Sequence, residues 1–462
     1  MIELPRLLSG GLCERLRRAP FGDRRPPISL CPPQFMRQVF FAGLCWAGLP
    51  AWAQTPVEPL TLGHALAMAD LPHPDLDLAG ARLEGARAEL EQARSTTGLR
   101  TYLDLTPQAV RPTGTSGNDI VGDSRARLFA GKRLYDFGRS RALEEGARST
   151  IEARASAFLD TRLRRRLEIT GRFFDVILAD LRYAVDTETM SSAYVAFDRA
   201  RQRHGLGQVS DVDLLELESR YQQILVTRTQ SQKRQVSTRS QLALALNRPE
   251  ELPRDLVRPV LDAEAREIPD YSVLYDQARV RNPALRAVRS ETAATRTALA
   301  AVRARRRPVL SAEAEAAWYQ REFASRDELR ATLNLRIPLY QGGEDGAAVA
   351  TALARLHEQE AKLARAELEL RQTVLDLVQE AETQKVALTA AKLKVSYRDL
   401  YLDRSRALYE MEVRTDLGDA MARITEAQWE AAQAEFSLAL AWAKIDALTG
   451  DLPVTTAQER PQ

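Results

Sequence analysis

The residues of this chain best suited to chemistry are poorly arranged for catalysis. His204 and His357 have no second ligand at metal-binding spacing. No nucleophile–base pair, paired carboxylates or glycine-rich phosphate loop stands out. No metal, cofactor or enzymatic activity is therefore expected. What remains is charge chemistry. Arg303, Arg305, Arg306 and Arg307 form one basic run, and Arg162, Arg164, Arg165 and Arg166 form another. The first reads as a solvated helix end. The second reads as an exposed helix face whose aliphatic stems cover neighbouring residues. The formal net charge of +2 over 462 residues gives no reason to expect nucleic acid as a partner. At 28% charged residues, with no apolar run of 18 or more, the chain is not a polytopic helical membrane protein.

The N-terminus carries a targeting signal. Residues 36–53 read MRQVFFAGLCWAGLPAWA, with Arg37 as the positive region, a short apolar stretch, and Ala51-Trp52-Ala53 as a small-x-small cleavage pattern between Ala53 and Gln54. Met36 then reads as the start, and residues 1–35 as an upstream extension. Cys13, Cys31 and Cys45 all precede the cleavage point, so the mature chain needs no disulfide outside the cytoplasm. Removing residues 1–53, with seven Lys/Arg and three Asp/Glu, leaves a mature charge of −2. Leu44 precedes Cys45 where a lipid-attachment signal needs a small residue, so no lipid anchor is expected.

Positioning elements follow from an internal duplication. Leu134-Tyr135-Asp136-Phe137-Gly138 matches Leu339-Tyr340-Gln341-Gly342-Gly343, 205 residues on. His73-Pro74 matches Asn282-Pro283 at 209, and Val209-Ser210-Asp211 matches Arg414-Thr415-Asp416 at 205. Each unit is expected to run short helix, strand, loop, strand, long helix, turn, long helix. The first repeat covers 54–252, with strands about 101–110 and 125–135 and long helices about 139–203 and 211–247. A proline-rich linker spans 253–269. The second repeat covers 270–453, with strands about 309–319 and 328–340 and long helices about 345–411 and 416–449, before a tail at 454–462.

The long helices contain no proline and are rich in Ala, Leu, Glu, Arg and Gln. At 1.5 Å per residue each first long helix spans about 100 Å. Leu356, Leu363, Leu370, Leu377 and Leu388 mark an apolar stripe suited to side-by-side coiled packing. Ser210 and Thr415 can cap the second helices, with Asp213 placed as in a capping box. The strands alternate strictly. Leu329, Ala331, Leu333, Leu335, Ile337 and Leu339 share one face, and Arg330, Thr332, Asn334 and Arg336 share the other. In 125–135 the alternation is interrupted by Phe129 and Lys132.

Strands of this length, apolar on one face and charged on the other, suit a barrel with lipid outside and water inside. Trp318, Tyr319 and Tyr102 are candidates for an aromatic girdle. Four strands cannot close a barrel, and an open edge in lipid leaves backbone groups unpaired. A conduit therefore needs three or four chains, between which the geometry does not choose.

The duplicated motifs resemble the TolC family of outer-membrane efflux and secretion channels. The likeness rests on Leu60-Thr61-Leu62 with Ala65-Leu66, Pro74 and Pro283, and the two Leu-Tyr-x-x-Gly junctions (Leu134, Tyr135, Gly138; Leu339, Tyr340, Gly343). The turn from Gly207 to Leu215 and the closing Leu448-Thr449-Gly450 complete it. The resemblance implies a mixed α and β membrane protein. Its homotrimer would form a 12-stranded β-barrel among outer-membrane lipid, set on a long periplasmic α-helical barrel in a Gram-negative cell. It also implies a passive duct served by a periplasmic adaptor and an inner-membrane pump of ABC or RND type. Cargo would be small toxic compounds, metal ions or unfolded protein, the lack of a lipid anchor favouring the last two. By position, the periplasmic gate would fall at Gly207, Ser210 and Asp213 in the first turn. In the second it would fall at Tyr409, Glu412, Arg414, Thr415, Asp416 and Asp419, where Glu412 and Gly418 depart from the usual Gly and Asp. The competing reading is a periplasmic coiled-coil adaptor or scaffold without a pore.

Overall fold

The computed structural model describes residues 59–111, 120–321, 327–411 and 417–451. The N-terminal extension, the signal with Ala53 and Gln54, Cys45 and the tail beyond 451 lie outside these residues. Each repeat opens with two helices where one was expected: α1 (Leu62–Met68) and α2 (Pro74–Ser95) in the first, α5 (Tyr271–Arg281) and α6 (Pro283–Arg303) in the second. The prolines explain the division, because the residue before proline is driven out of the helical region. That residue becomes the cap. His73 Nδ1 accepts the Asp75 N–H at 3.2 Å, and Asn282 Oδ1 accepts the Leu285 N–H at 2.9 Å.

The strands follow: β1 (Leu99–Thr106), β2 (Ala109–Val110), β3 (Val121–Gly122) and β4 (Arg125–Tyr135), then β5 (Val309–Tyr319) and β6 (Leu329–Arg336). The segment read as one strand over 101–110 is broken at Pro107, which has no N–H to donate. The last strand stops at Arg336, short of 340, just before Pro338. β1, β4, β5 and β6 form one antiparallel sheet in that order, so the two hairpins meet at β4 and β5 while β1 and β6 are left as edges. β2 and β3 extend the first hairpin as a separate ribbon.

Four helices carry the rest: α3 (Arg139–His204), α4 (Asp211–Ala245), α7 (Glu344–Glu410) and α8 (Leu417–Leu448). α3 and α7, at 66 and 67 residues, are each about 100 Å long. α3 packs along α2, α4, α6 and α8, and α7 along α5, α6 and α8. Two apolar clusters pin the middle of these helices. One gathers Leu62, Ile169, Phe173, Leu242 and Phe436, with Phe174 stacked on Phe436 at 4.5 Å between centroids. The other gathers Leu274, Leu285, Val374, Leu388 and Trp442. The linker straps across both. Leu60 bridges Leu256 through Leu60 N–H to Asp255 O (2.9 Å) and Val257 N–H to Leu60 O (3.0 Å). Trp442 Nε1 donates to Ala263 O at 3.0 Å, and Arg258 and Arg266 pair with Glu435 and Asp446 on α8.

The second arginine run is not a solvated face. Arg165 is 4% exposed; its Nε donates to Ala69 O at 3.4 Å and its Nη2 to Ala245 O at 3.2 Å. It thus joins the C-terminal ends of α1 and α4, where the helix dipoles favour a cation. Arg162 and Arg166 hold Asp70 at 2.7 and 3.1 Å. The Arg162 hydrogen bond outweighs burial and lowers the Asp70 pKa. Arg164 alone stays on the outside, paired with Asp160 one turn back at 2.8 Å. Helical spacing puts Arg162, Arg165 and Arg166 on one face and Arg164 on the other, but does not say which neighbour lies over them.

Candidate functional site: a two-faced sheet, its junctions and the helical tips

Strand register decides which residues share a face, since directly paired residues point to the same side. Leu103, Leu128, Ala316 and Leu329 form one row, with Thr101, Ala130, Ala314 and Ala331 beside it. This face is apolar and uncovered: Leu128 is 54% exposed, Trp318 61% and Leu333 68%. The opposite face is a polar network. Arg127 pairs with Asp104 at 2.7 Å and lies 3.7 Å from Glu315, bridging three strands. Phe129 belongs to this polar face. Its ring stacks on Tyr102 with centroids 4.7 Å apart and lies over Gly131, where a Cβ would meet it at 2.7 Å. The interrupted alternation in β4 is thus an aromatic covering a glycine. Lys132 does fall on the apolar face, opposite Leu99 and Ala312, at the end nearest the helices. There its stem can reach an interface.

Two girdle candidates are corrected by this register. Tyr102 and Tyr319 lie on the polar face; Trp318 lies on the apolar one. At the helix end, a register shift after Arg133 places Tyr135 opposite Leu310, and Leu339 and Tyr340 are almost fully uncovered. Alternation alone missed Tyr135 because the shift resets its parity.

The strand–helix junctions share one backbone device. Phe137 and Gly138 have φ of 52° and 99°, and Gly342 and Gly343 have 59° and 88°. Two successive left-handed residues turn the chain from sheet into helix, which favours glycine at both junctions. Gly343→Ala is expected to lower stability by about 1–2 kcal/mol. Gly346→Ala, inside α7 where an added Cβ would meet only the Arg306 side chain at 3.9 Å, is expected to raise it by up to about 1 kcal/mol. Thermal melting of the two variants should show opposite signs.

The first junction is locked further. Asp136 is buried and caps α3, accepting the Ser140 N–H at 3.0 Å and the Ser140 hydroxyl. Burial alone would raise its pKa, but the Ser140 hydrogen bonds and Arg133 outweigh it and hold the carboxyl below its usual range. The other basic run stays exposed, as a solvated helix end should, yet two of its members also reach this junction. After the 3₁₀ turn Ala304–Arg306, Arg307 Nη1 donates to Phe137 O at 2.6 Å, and Arg306 lies 3.9 Å from Asp345 at the start of α7. The spacing of Asp136 and Ser140, four apart across a helix start, was the available signal for the cap.

At the far end of α3, Gly207 takes φ of 71° in the turn to α4. Ser210 Oγ accepts the Asp213 N–H at 3.2 Å and donates to the Asp213 carboxylate at 2.8 Å. His204 Nε2 lies 2.7 Å from Asp211 Oδ1. Leu206, Val212 and Leu215 stand uncovered around this turn. In the second turn Tyr409 is exposed and Asp419 pairs with Arg423 at 2.6 Å. Glu412, Arg414, Thr415 and Asp416 lie outside the described residues. Among the described residues no cluster of His, Cys, Asp and Glu could hold a metal, and no helix is long and apolar enough to cross a membrane.

Residues 274–451 match the family model of the outer membrane efflux protein. The second repeat of the chain thus carries an outer membrane efflux protein domain. The chain is 26% identical over 349 residues to protein CyaE of Bordetella pertussis, a match spanning 74% of this chain and 70% of CyaE. Its fold is that of the CmeC outer membrane channel of Campylobacter jejuni. The TM-score is 0.70 at 13% identity, over 86% of this chain and 87% of that one. The open-state MtrE outer membrane channel of Neisseria gonorrhoeae is similar at a TM-score of 0.68 and 17% identity, over 86% and 90% of the two chains. The efflux proteins are channels rather than enzymes, and they reside in the outer membrane. The channel reading stands over that of a pore-free periplasmic adaptor.

Proposed function

We propose that three copies of this chain close a 12-stranded barrel in the outer membrane and continue it as an α-helical barrel in the periplasm. The assembly is a passive export duct for a tripartite system. One observation carries the reading: the sheet has an uncovered apolar face, a face of ion pairs, and two open edges. An apolar face meets lipid and an ion-paired face meets water only if the sheet closes on itself. Edges β1 and β6 leave backbone groups that lipid cannot satisfy, so each must pair with another chain. Four strands per chain give twelve in a trimer, more than the eight at which side chains fill a barrel.

The α3–α4 and α7–α8 turns are then the pump-side entrance. Gly207, Ser210, Asp213, Tyr409, Glu412, Arg414, Thr415, Asp416 and Asp419 are the gate candidates. Exposed ion pairs are weak, so a partner can exchange for them at small cost. The uncovered Leu206, Val212 and Leu215 support docking of a periplasmic adaptor, with an ABC- or RND-type pump supplying the energy. Single-channel recording of detergent-extracted protein in planar bilayers tests this. Stable conducting events are expected, with cation preference reduced in Asp213→Ala and Asp416→Ala. Unchanged selectivity would remove the gate assignment and leave the duct. A protein that stays soluble without detergent and never conducts would overturn the duct.

A further inference from the structure

On the polar side of the sheet, where strands give way to helices, lies a pocket of about 410 Å³. Six arginines line it: Arg100, Arg133, Arg139, Arg305, Arg307 and Arg336, with Glu313 the single carboxylate lining it among the described residues. They arrive from β1, β4, β6, the start of α3 and the turn after α6. Two are already engaged, Arg307 with Phe137 O and Arg133 at 3.6 Å from Asp136. Arg100, Arg139, Arg305 and Arg336 make no ion pair among the described residues. Burial, and then the charges of Arg305 and Arg133, push the Arg139 pKa down.

Six arginines gathered around one lining carboxylate repel, and among the described residues Arg305 and Arg336 have no ion-pair partner to hold them at this pocket. An anion would relieve the repulsion. Guanidinium is the group that best grips carboxylate or phosphate, through paired N–H donors. The four guanidinium groups without an ion pair come from four elements around an open cavity, which suits a ligand bearing several anionic groups. We propose that this pocket is an anion site, taking the carboxylate or phosphate groups of an acidic molecule as it passes from helices to barrel. Its place inside a duct rests on the reading above; the pocket itself lies within one chain.

Calorimetric titration of the detergent-extracted full chain at low ionic strength tests it, using hexaglutamate and, separately, inorganic tripolyphosphate. Saturable binding is expected, weakened about tenfold for each of Arg305→Gln and Arg336→Gln. Both side chains are exposed and make no ion pair among the described residues, so helix content should be unchanged. Arg303→Gln, on α6 outside the pocket, should bind as wild type does. Tighter hexaglutamate binding would assign the site to acidic polypeptide, and tighter tripolyphosphate binding to phosphate-bearing molecules. No binding of either, or equal weakening by Arg303→Gln, would overturn the proposal. Conductance of the same preparation separates the two readings. Binding without conduction keeps the site and sinks the duct, whereas conduction without binding does the reverse.

Discussion

Arg165→Met should destabilise the protein by about 2–4 kcal/mol and sharply lower its yield in the outer-membrane fraction. The substitution keeps the aliphatic stem and removes two donors. It leaves the carbonyls of Ala69 and Ala245 unpaired beside a buried cluster. Each buried carbonyl without a partner costs about 1–3 kcal/mol. The loss also frees the C-terminal ends of α1 and α4 from a cation their dipoles favour. Arg165→Lys should recover only part of the loss, because an ammonium cannot fork between carbonyls of two helices. Arg141→Met is the control: Arg141 is exposed and paired one turn along α3 with Glu145 at 3.5 Å. It should stay within about 0.5 kcal/mol of wild type. Thermal melting followed by circular dichroism reads all three, and an unshifted Arg165→Met would show that the two helix ends need no clamp.

Leu128→Arg should cost about 2–4 kcal/mol per chain, the penalty for a cation turned toward lipid near mid-strand. With one such arginine in every chain, the assembled oligomer should be nearly absent from outer membranes. Thr332→Arg, on the other face beside Glu313, should assemble normally and change only ion selectivity. A gel comparing heated and unheated membrane extracts measures both. If Thr332→Arg were the damaging substitution, the two faces would be assigned the wrong way round.

Much of this architecture was legible because it depends on local rules. Period-two alternation marked β5 and β6, and proline-free runs rich in helix formers marked α3 and α7. The paired Leu-Tyr-x-x-Gly motifs marked turns whose left-handed backbone the structure displays. Corrections arose where a distant partner decides. Nothing near Arg165 in sequence announces Ala245, eighty residues away. The linker has no periodicity, yet Arg258 and Arg266 fasten it to α8. Tyr102 was offered for the membrane girdle although its own alternation placed it opposite Leu103 and Leu105; register settled the conflict in favour of parity. Of the gate candidates, the first turn is described as a capped helix start. In the proposed trimer, what holds such a turn shut would lie between chains, which one chain's sequence encodes only weakly.

Pairing β4 with β5 inside the chain has a consequence for inheritance. In the proposed trimer the seam between subunits would join β6 of one copy to β1 of the next, a head-to-tail contact that closes only when every copy offers both edges. A copy with a sound β1 and a ruined β6 can still enter a ring, but it cannot complete it. Such an allele would act dominantly, drawing normal subunits into dead-end assemblies. A copy that fails to fold at all would merely reduce the dose.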